Sequence, residues 1–592
     1  MDLITPKDLV SANKTLKLLG GVPTARLLMR LLKLDKVNEG YSPVSHLHGL
    51  EFVEKVIEKL GFTYEISDED LARIPAEGPF ITISNHPYGG LDGLSHMAFL
   101  GPVRPDFKIL VNFLLSKIEP VSEFFLPVNP FETHKDVRSS FSGLKEAFNH
   151  LSNGHPLGIY PAGEVSTYRF DRKRVTDRKW QYSVIKFIKK TSVPVLPIYF
   201  DGYNSTMFHL LGMIHPLLRT VKIPSELFNK KGHVVRIRIG HPISLKEQEV
   251  FSDLNEYGKF LRTRTYILAL SFKDEKKKLS EAKGVEEIIP PVDPILIEKE
   301  VEEISNEHEL FRLQDNSVFC APSSRIPNIM REIGRLREIT YRQVGEGTNK
   351  QLDIDQFDDY YDQLFIWDHE GKGIVGGYRI GKGGDILEKY GTRGFYINTL
   401  FRLGYQLTPV LNETIELGRS FVTREYQKKT FSLFLLWKGI LYVLLKHPEY
   451  RYLIGPVSIS NAFSDISKAL TVEFMKANYY NYELAASIRP RKEFRSKIDK
   501  CINLMAFLRS TENDVGKFDR FVQEFEPEFR TPILLKKYIN LNAEIVGFNV
   551  DPKFNNCLDG LMVLDLLDVP MPTIESLSKE INDNSILERF KK

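Results

Sequence analysis

His86 and Asp92 are the first pair in the chain whose types and spacing suit proton transfer. They lie in SNHPYGGLDG, residues 84–93, separated by five residues that include Gly89 and Gly90. A neutral imidazole can take a proton from a hydroxyl, and a carboxylate can hold its tautomer and stabilise the cation formed. A hydroxyl activated in this way can attack a thioester directly, without an enzyme nucleophile. The plainer reading makes His86 a turn residue and Asp92 the N-cap of a helix starting at Gly93. Asp92 and His96, four apart, could also offer two metal ligands. No second ligand pair accompanies them, so no metal is expected.

Other segments carry chemistry of their own. In YPAGEVS (160–166) a strand pattern enters a turn at Gly163, with Glu164 beside it. RFDRKRVTDRK (169–179) sets Arg169, Arg172, Lys173, Arg174, Arg178 and Lys179 against Asp171 and Asp177. That patch suits a phosphate or an acidic protein surface. VPVLPIYFDGYNS (193–205) runs from a strand into a polar loop. In the second half, IGRLREITYRQVGEGT (333–348) is a basic helix leading into a Gly-rich loop. The loop lacks the Lys-Ser/Thr of a phosphate loop. An acidic loop and two β-rich runs joined by HEGKG follow within 351–381, the pattern of a hairpin. TIELGRSFV (414–422) puts Glu416 and Arg419 on a strand and its exit. The bland alternatives are salt-bridged surface positions for Arg337 and Arg379, and a structural ion pair between Glu416 and Arg419.

These residues need a scaffold, and the composition supplies one. The 592 residues are 42% hydrophobic and 27% charged, which predicts several domains with sizeable cores. A net charge of +3 argues against a dedicated nucleic-acid binder. Cys320, Cys501 and Cys557 are scattered, which suggests reduced thiols in a cytosolic setting. The start MDLITPKDLV shows no signal-peptide pattern. FSLFLLWKGILYVLLK (431–446) comes closest to a membrane span, but Lys438 interrupts it. Its Phe431, Phe434, Leu435, Leu436 and Trp437 read as helix core.

TARLLMRLLKLDK (24–36) reads as a basic amphipathic helix with Thr24 as N-cap, packed on its own domain or docked on anionic lipid. From about 50 to 245, strand-like runs (80–84, 156–164, 194–200, 233–243) alternate with helical ones (136–151, 180–191), the signature of α/β layers. A charged stretch (273–287) and IIPPVDP (288–294) mark a boundary. The expected organisation is a helical, membrane-surface segment (1–48) followed by two mixed α/β domains, 49–288 and 289–592.

Taken together, NHPYGGLD, YPAGEVS and VPVLPI resemble the glycerophosphate-type lipid acyltransferase family, over roughly residues 50 to 245. The resemblance implies His86 and Asp92 as the catalytic pair and Asn85, Gly163 and Glu164 as substrate contacts. The family has four residues between His and Asp where this chain has five, and reads Pro-Glu-Gly where this chain reads Pro161-Ala162-Gly163-Glu164. Its arginine-bearing phosphate block has no clear copy; FFLPVNP (124–130) followed by Arg138 is nearest. This favours a hydroxyl acceptor without phosphate. Either Asp92 or Glu164 could orient His86.

The second half resembles the autoinducer-synthase branch of the GNAT acyltransferases, over about 330 to 425. That resemblance implies Glu416 as the group that removes the ammonium proton, directly or through a water. It implies Arg337, Asp355, Asp358, Arg379 and Arg419 as substrate-binding residues.

The whole chain resembles the bifunctional bacterial synthases of ornithine and related aminoacyl lipids. The expected function is N-acylation of an amino acid with a 3-hydroxyacyl group, then O-acylation of the free hydroxyl. The resemblance implies acyl carrier protein as donor, no cofactor, an amino acid and a membrane lipid surface as partners, and the inner face of the bacterial inner membrane as location. Ornithine would require an acidic partner such as Asp358 or Asp359; glycine would not. The alternatives are a single-activity lysolipid O-acyltransferase with a non-catalytic second half, and a non-catalytic haemolysin-like protein.

Overall fold

Short strands alternating with amphipathic helices build one sheet in the first half. The computed structural model describes residues 21–31, 34–112, 118–128, 137–214, 222–272, 285–427, 430–495 and 502–581, with a few isolated positions. The strands in chain order are β1 (Thr63–Glu65), β2 (Ile81–Ser84), β3 (Lys108–Asn112), β4 (Phe125–Val128), β5 (Leu157–Ile159), β6 (Thr167–Arg169), β7 (Arg174–Thr176), β8 (Val195–Phe200) and β9 (Val234–Ile239). Seven of them form a sheet in the order β1-β9-β8-β2-β5-β3-β4, while β6 and β7 pair as a separate ribbon. Neighbours in the sheet run parallel except β8 and β9.

Both faces of this sheet are covered, which is why its central strands are apolar throughout. Ile198 and Phe200 of β8 pack on one side with Phe52, Leu91 and Met97 from helices Gly49–Leu60 and Gly90–Leu100. Ile81 and Ile83 of β2 pack on the other with Ala147, Ile188 and Leu261. The expected helices appear as Val137–Ser152 and Tyr182–Thr191. The expected strand at 156–164 stops at Ile159, because the chain turns at Tyr160–Gly163. The helix expected over 24–36 is described as Val22–Leu31 and Leu34–Tyr41, with 32 and 33 outside the described residues, and Thr24 lies inside the first stretch rather than capping it. Ala25 and Met29 are buried, whereas Arg26, Leu27 and Arg30 are exposed. The side chain of Arg138 lies outside the described residues.

The second half adds β10 (Glu309–Leu313), β11 (Asn316–Pro322), β12 (Asp362–Asp368), β13 (Gly373–Lys382), β14 (Phe401–Leu403), β15 (Thr414–Val422), β16 (Tyr452–Ile459), β17 (Ile488–Pro490), β18 (Glu544–Asp551) and β19 (Cys557–Asp565). Eight of these form a sheet in the order β10-β11-β12-β13-β15-β16-β19-β18. The expected hairpin is β12–β13. The sheet is antiparallel except at β15 and β16, which pair in parallel over only Thr414–Glu416 and Tyr452–Ile454. Beyond that the two strands splay. Pro456 has no N–H to give to a ladder. Helix Thr430–Lys446 has Leu435 and Leu436 buried, and Lys438 lies over the Phe311 ring. No helix among the described residues is long and apolar enough to cross a membrane.

The chain divides into two compact units, Met1–Glu275 with Asp499–Glu512, and Lys276–Ile498 with Asn513–Lys592. The sequence signals placed the boundary at 288/289 and gave no sign of the returning segment. The helical start falls within the first unit. Helix Leu504–Thr511 returns because its Ala506 completes the core formed by Ile185, Phe260 and Leu261. Asn503 N–H donates to Thr263 Oγ1 at 3.2 Å at the same contact. Ala506→Asp places an unpaired carboxyl in this core and is expected to destabilise the first unit by at least about 3 kcal/mol, read by chemical denaturation.

Candidate functional site

In the first unit, β2 ends at Ser84 and delivers Asn85 and His86 to the sheet edge. The Asn85 amide donates to Phe200 C=O at 2.8 Å, and its oxygen accepts Phe200 N–H at 2.8 Å. Asn85 therefore ties the end of β2 to β8, using one donor and one acceptor of its amide. His86 Nδ1 lies 2.9 Å from Asp92 Oδ2, with the ring turned off the ideal donor line. The same carboxylate oxygen accepts the N–H groups of Tyr88 and Gly89, each at 2.9 Å. Asp92 is fully shielded from solvent. Burial pushes its carboxyl up, and His86 and the two backbone donors counter that push.

The helix begins at Gly90, so Asp92 sits in its first turn and is not the N-cap. Binding back to the turn and orienting His86 are performed by one carboxylate. Gly89 takes up the fifth intervening residue at φ +85°, where a Cβ would meet Ile223 at 3.1 Å and Val165 at 3.2 Å. Glu164 does not compete for His86, because its carboxylate faces Arg178 at 3.2 Å. Gly163 closes the turn at φ +68°, and its N–H donates to Tyr160 C=O.

Three residues that the sequence reading missed hold His86 in place. Tyr160 stacks against its ring at 4.1 Å between centroids. Asp177 accepts the His86 N–H at 3.2 Å and is fixed by Ser166 Oγ and Trp180 Nε1. His96 Nε2 meets Thr82 Oγ1 at 3.1 Å and its Nδ1 meets the Tyr160 hydroxyl at 3.3 Å. Burial lowers His96 to about 3, so it stays neutral. His96 thus supports Tyr160 and is not a ligand beside Asp92; among the described residues no group of three acids, thiols or imidazoles is placed to hold a metal.

The second unit centres on a ladder of buried charges. Arg337 pairs with Asp358 at 3.0 Å. Arg379 pairs with Asp355 at 2.6 Å and Asp358 at 3.4 Å. Arg419 pairs with Asp355 at 3.1 Å and with Asp353, which the sequence reading missed, at 2.9 Å. Arg337 and Arg379 are wholly buried, so the surface reading of both fails. Burial raises the Asp358 carboxyl, but Arg337 and Arg379 outweigh it and hold it at about 2. Asp358 is therefore committed to arginines and is not available to an ornithine side chain; Asp359 is exposed. Arg379 and Arg419 lie over the Tyr396 ring at 4.9 and 4.7 Å.

Glu416 is not paired with Arg419. It accepts the Tyr361 hydroxyl at 2.5 Å and the N–H groups of Tyr396 and Ile397 at 3.1 and 2.8 Å. Burial raises it to about 7. It is the last β15 residue paired to β16, at the point where the strands part. The opening between them is lined by Leu417, Arg419, Gly455, Pro456, Tyr538 and Met562, among others. Backbone groups released by the splay can polarise a thioester carbonyl. A second missed set is Asp551 and Asp559, both buried, with the half-buried Glu346. Asp559 Oδ2 has no hydrogen-bond partner among the described residues.

Two predictions follow from this geometry. Gly89→Ala is expected to cost about 1–3 kcal/mol of stability through its positive φ and to lower any reaction dependent on His86. A reaction that uses ionised Glu416 is expected to slow as pH falls through about 7, the value burial gives it. Glu416→Gln should abolish that limb of the pH–rate profile.

Comparison with known proteins agrees with both halves. Residues 10–274 match the family described as acyltransferase, and residues 336–438 match the acetyltransferase (GNAT) domain. A glycine N(alpha)-acyltransferase of Bacteroides thetaiotaomicron is 34% identical over 210 residues, which cover 34% of this chain and 62% of that relative's own length. A lyso-glycine lipid O-acyltransferase of Phocaeicola vulgatus is 25% identical over 248 residues, covering 41% of this chain and 86% of the relative. The solved 1-acyl-sn-glycerophosphate acyltransferase PlsC from Thermotoga maritima is 18% identical with a TM-score of 0.26, over 39% of this chain and 80% of its own. The chain therefore joins an acyltransferase domain to a C-terminal GNAT domain.

Proposed function

We propose that the two domains act in succession to make a diacylated amino-acid lipid. The GNAT domain transfers a 3-hydroxyacyl group from acyl carrier protein to the α-amine of an amino acid. The acyltransferase domain then esterifies the 3-hydroxyl with a second acyl chain. The observation that carries this reading is that one chain matches relatives named for each step, N-acylation of glycine and O-acylation of lyso-glycine lipid. Those names favour glycine as the amino acid. The reaction takes place at the cytoplasmic face of a membrane, where the lipid acceptor resides.

Each domain's chemistry follows from its residues. In the first step Glu416, or a water it holds, takes the ammonium proton, the freed amine attacks the thioester carbonyl in the splay between β15 and β16, and the C–S bond breaks to leave the amide, with the carrier thiol taking the second amine proton. In the second step His86 takes the hydroxyl proton while Asp92 stabilises the imidazolium. The alkoxide attacks the second thioester, and the carrier thiol leaves with the proton.

Purified protein given 3-hydroxyacyl carrier protein and glycine is expected to form first the monoacyl and then the diacyl product. His86→Ala should accumulate the monoacyl product with O-acylation reduced at least about 100-fold. Glu416→Ala should block N-acylation and leave acylation of supplied monoacyl lipid intact. Equal loss of both steps in either folded variant would contradict the division of labour.

A further inference from the structure

Helix Thr206–Ile214, TMFHLLGMI, has an apolar solvent face. Phe208 is fully buried, whereas Met207, Leu210 and Met213 are 58%, 48% and 54% exposed at a spacing of three residues. The helix carries no acidic residue in its first turn and no basic residue in its last. A helix apolar on all sides is normally buried, so its outer face calls for a partner. Tyr203, just before it, is 63% exposed.

The β6–β7 ribbon packs against this helix and extends the same surface. Phe170 at its tip is 70% exposed and Tyr168 is 40% exposed, with their rings edge to face at 5.3 Å. In the same run Lys173 and Lys179 are exposed and Arg169 and Arg172 half-buried, while Arg178 is paired with Glu164 at 3.2 Å and Arg174 Nε and Nη2 are buried. Of the two acids in this run, Asp177 is buried beneath His86 and only Asp171 reaches the surface, paired with Arg169 at 3.1 Å. The rim of the apolar patch is therefore strongly basic.

Both elements grow out of the catalytic turn. Ser166 N–H donates to His86 C=O at 2.8 Å, and β6 starts at the next residue. Asn204 Nδ2 donates to Tyr88 C=O at 3.2 Å, and the helix starts two residues later. The patch thus borders the approach to His86.

We propose that the β6–β7 ribbon and helix Thr206–Ile214 form the surface by which the first unit docks on an anionic lipid bilayer. Phe170, Met207, Leu210 and Met213 enter the boundary between headgroups and acyl chains, and Arg172, Lys173 and Lys179 meet lipid phosphates. Apolar burial and basic attraction together are what interfacial binding requires. The charge of the rim selects a bilayer over a second copy of this chain, because two such rims facing each other repel. The inference deepens the lipid-acylating function, on which its purpose rests but its binding test does not.

The test is flotation of the full-length protein with vesicles of phosphatidylcholine alone or mixed with phosphatidylglycerol. The wild type should float with the anionic vesicles and lose binding as salt rises. The variant M207Q/L210Q/M213Q, and separately Phe170→Ser, should weaken binding at least about tenfold. Lys173→Glu with Lys179→Glu should remove the preference for phosphatidylglycerol. All three variants should keep the wild-type thermal unfolding profile and full O-acylation of a short-chain, water-soluble hydroxy-acceptor. Unchanged flotation of the folded variants overturns the proposal. So does flotation lost only with Arg26→Glu and Arg30→Glu, which would place docking on the first helix. A lipid-free dimer that M207Q/L210Q/M213Q converts to monomer also overturns it. If the protein floats as expected but acylates nothing, the function fails and the docking surface stands.

Discussion

A carboxylate taken wholly out of water has to be met by donors, and the first unit is arranged around meeting one, Asp92. An uncompensated buried charge would cost several kcal/mol. Here Tyr88 N–H, Gly89 N–H and His86 Nδ1 all converge on one oxygen. The two backbone donors exist only because the chain reverses between Pro87 and Gly90, and that reversal requires the positive φ of Gly89. The strand that brings His86 is fixed by Asn85 to β8, and the helix that brings Asp92 packs Leu91 and Met97 into the core. Fold and candidate base are thus coupled through one short turn.

The second unit meets the same constraint differently. Its arginines and aspartates alternate, Arg337–Asp358–Arg379–Asp355–Arg419–Asp353, so each charge finds an opposite neighbour. Aromatic rings from Tyr396 and Phe554 cover Arg419. This ladder braces the acidic loop against β13 and β15, with Arg419 held at φ +51° where β15 leaves its pairing with β16. Glu416 lies at the same place but outside the ladder. Its partners are neutral donors, which leaves burial to dominate and its carboxyl near neutrality. Burial outweighs the pull of the neighbouring Arg379, and that is what keeps Glu416 able to titrate.

The sequence made the chemistry more legible than its supports. The His86–Asp92 pair and the strand carrying Glu416 were readable because short motifs lie within one or two turns of chain. Tyr160, Asp177 and Asp353 were not, since their roles depend on contacts between residues far apart in sequence. Tyr160 looked like one more strand residue before a turn. Asp177 looked like a minor acid in a basic patch, and only burial against Trp180 reveals it as an anchor. The β15–β16 splay had no sequence signature beyond Pro456, because a parallel pairing joins segments that periodicity alone cannot match. Helix Leu504–Thr511 was equally hidden, for an amphipathic helix carries no address for the core it completes.

The two candidate bases suit the two acceptors proposed for them. An ammonium ionises within a few units of neutrality, so a weak base suffices, and a carboxylate lifted to about 7 by burial is poised for that task. A hydroxyl ionises far higher and must lose its proton as the new bond forms. That calls for a base whose protonated form is stabilised as it appears, which an imidazole backed by a buried carboxylate provides. Exchanging the two arrangements would serve neither reaction. An imidazole beside Arg379 would resist taking up positive charge, and a carboxylate in place of His86 would be repelled by the carboxylate of Asp92. The proposed order of the steps follows the same logic, because in that proposal the hydroxyl for the second reaction arrives on the acyl chain installed by the first.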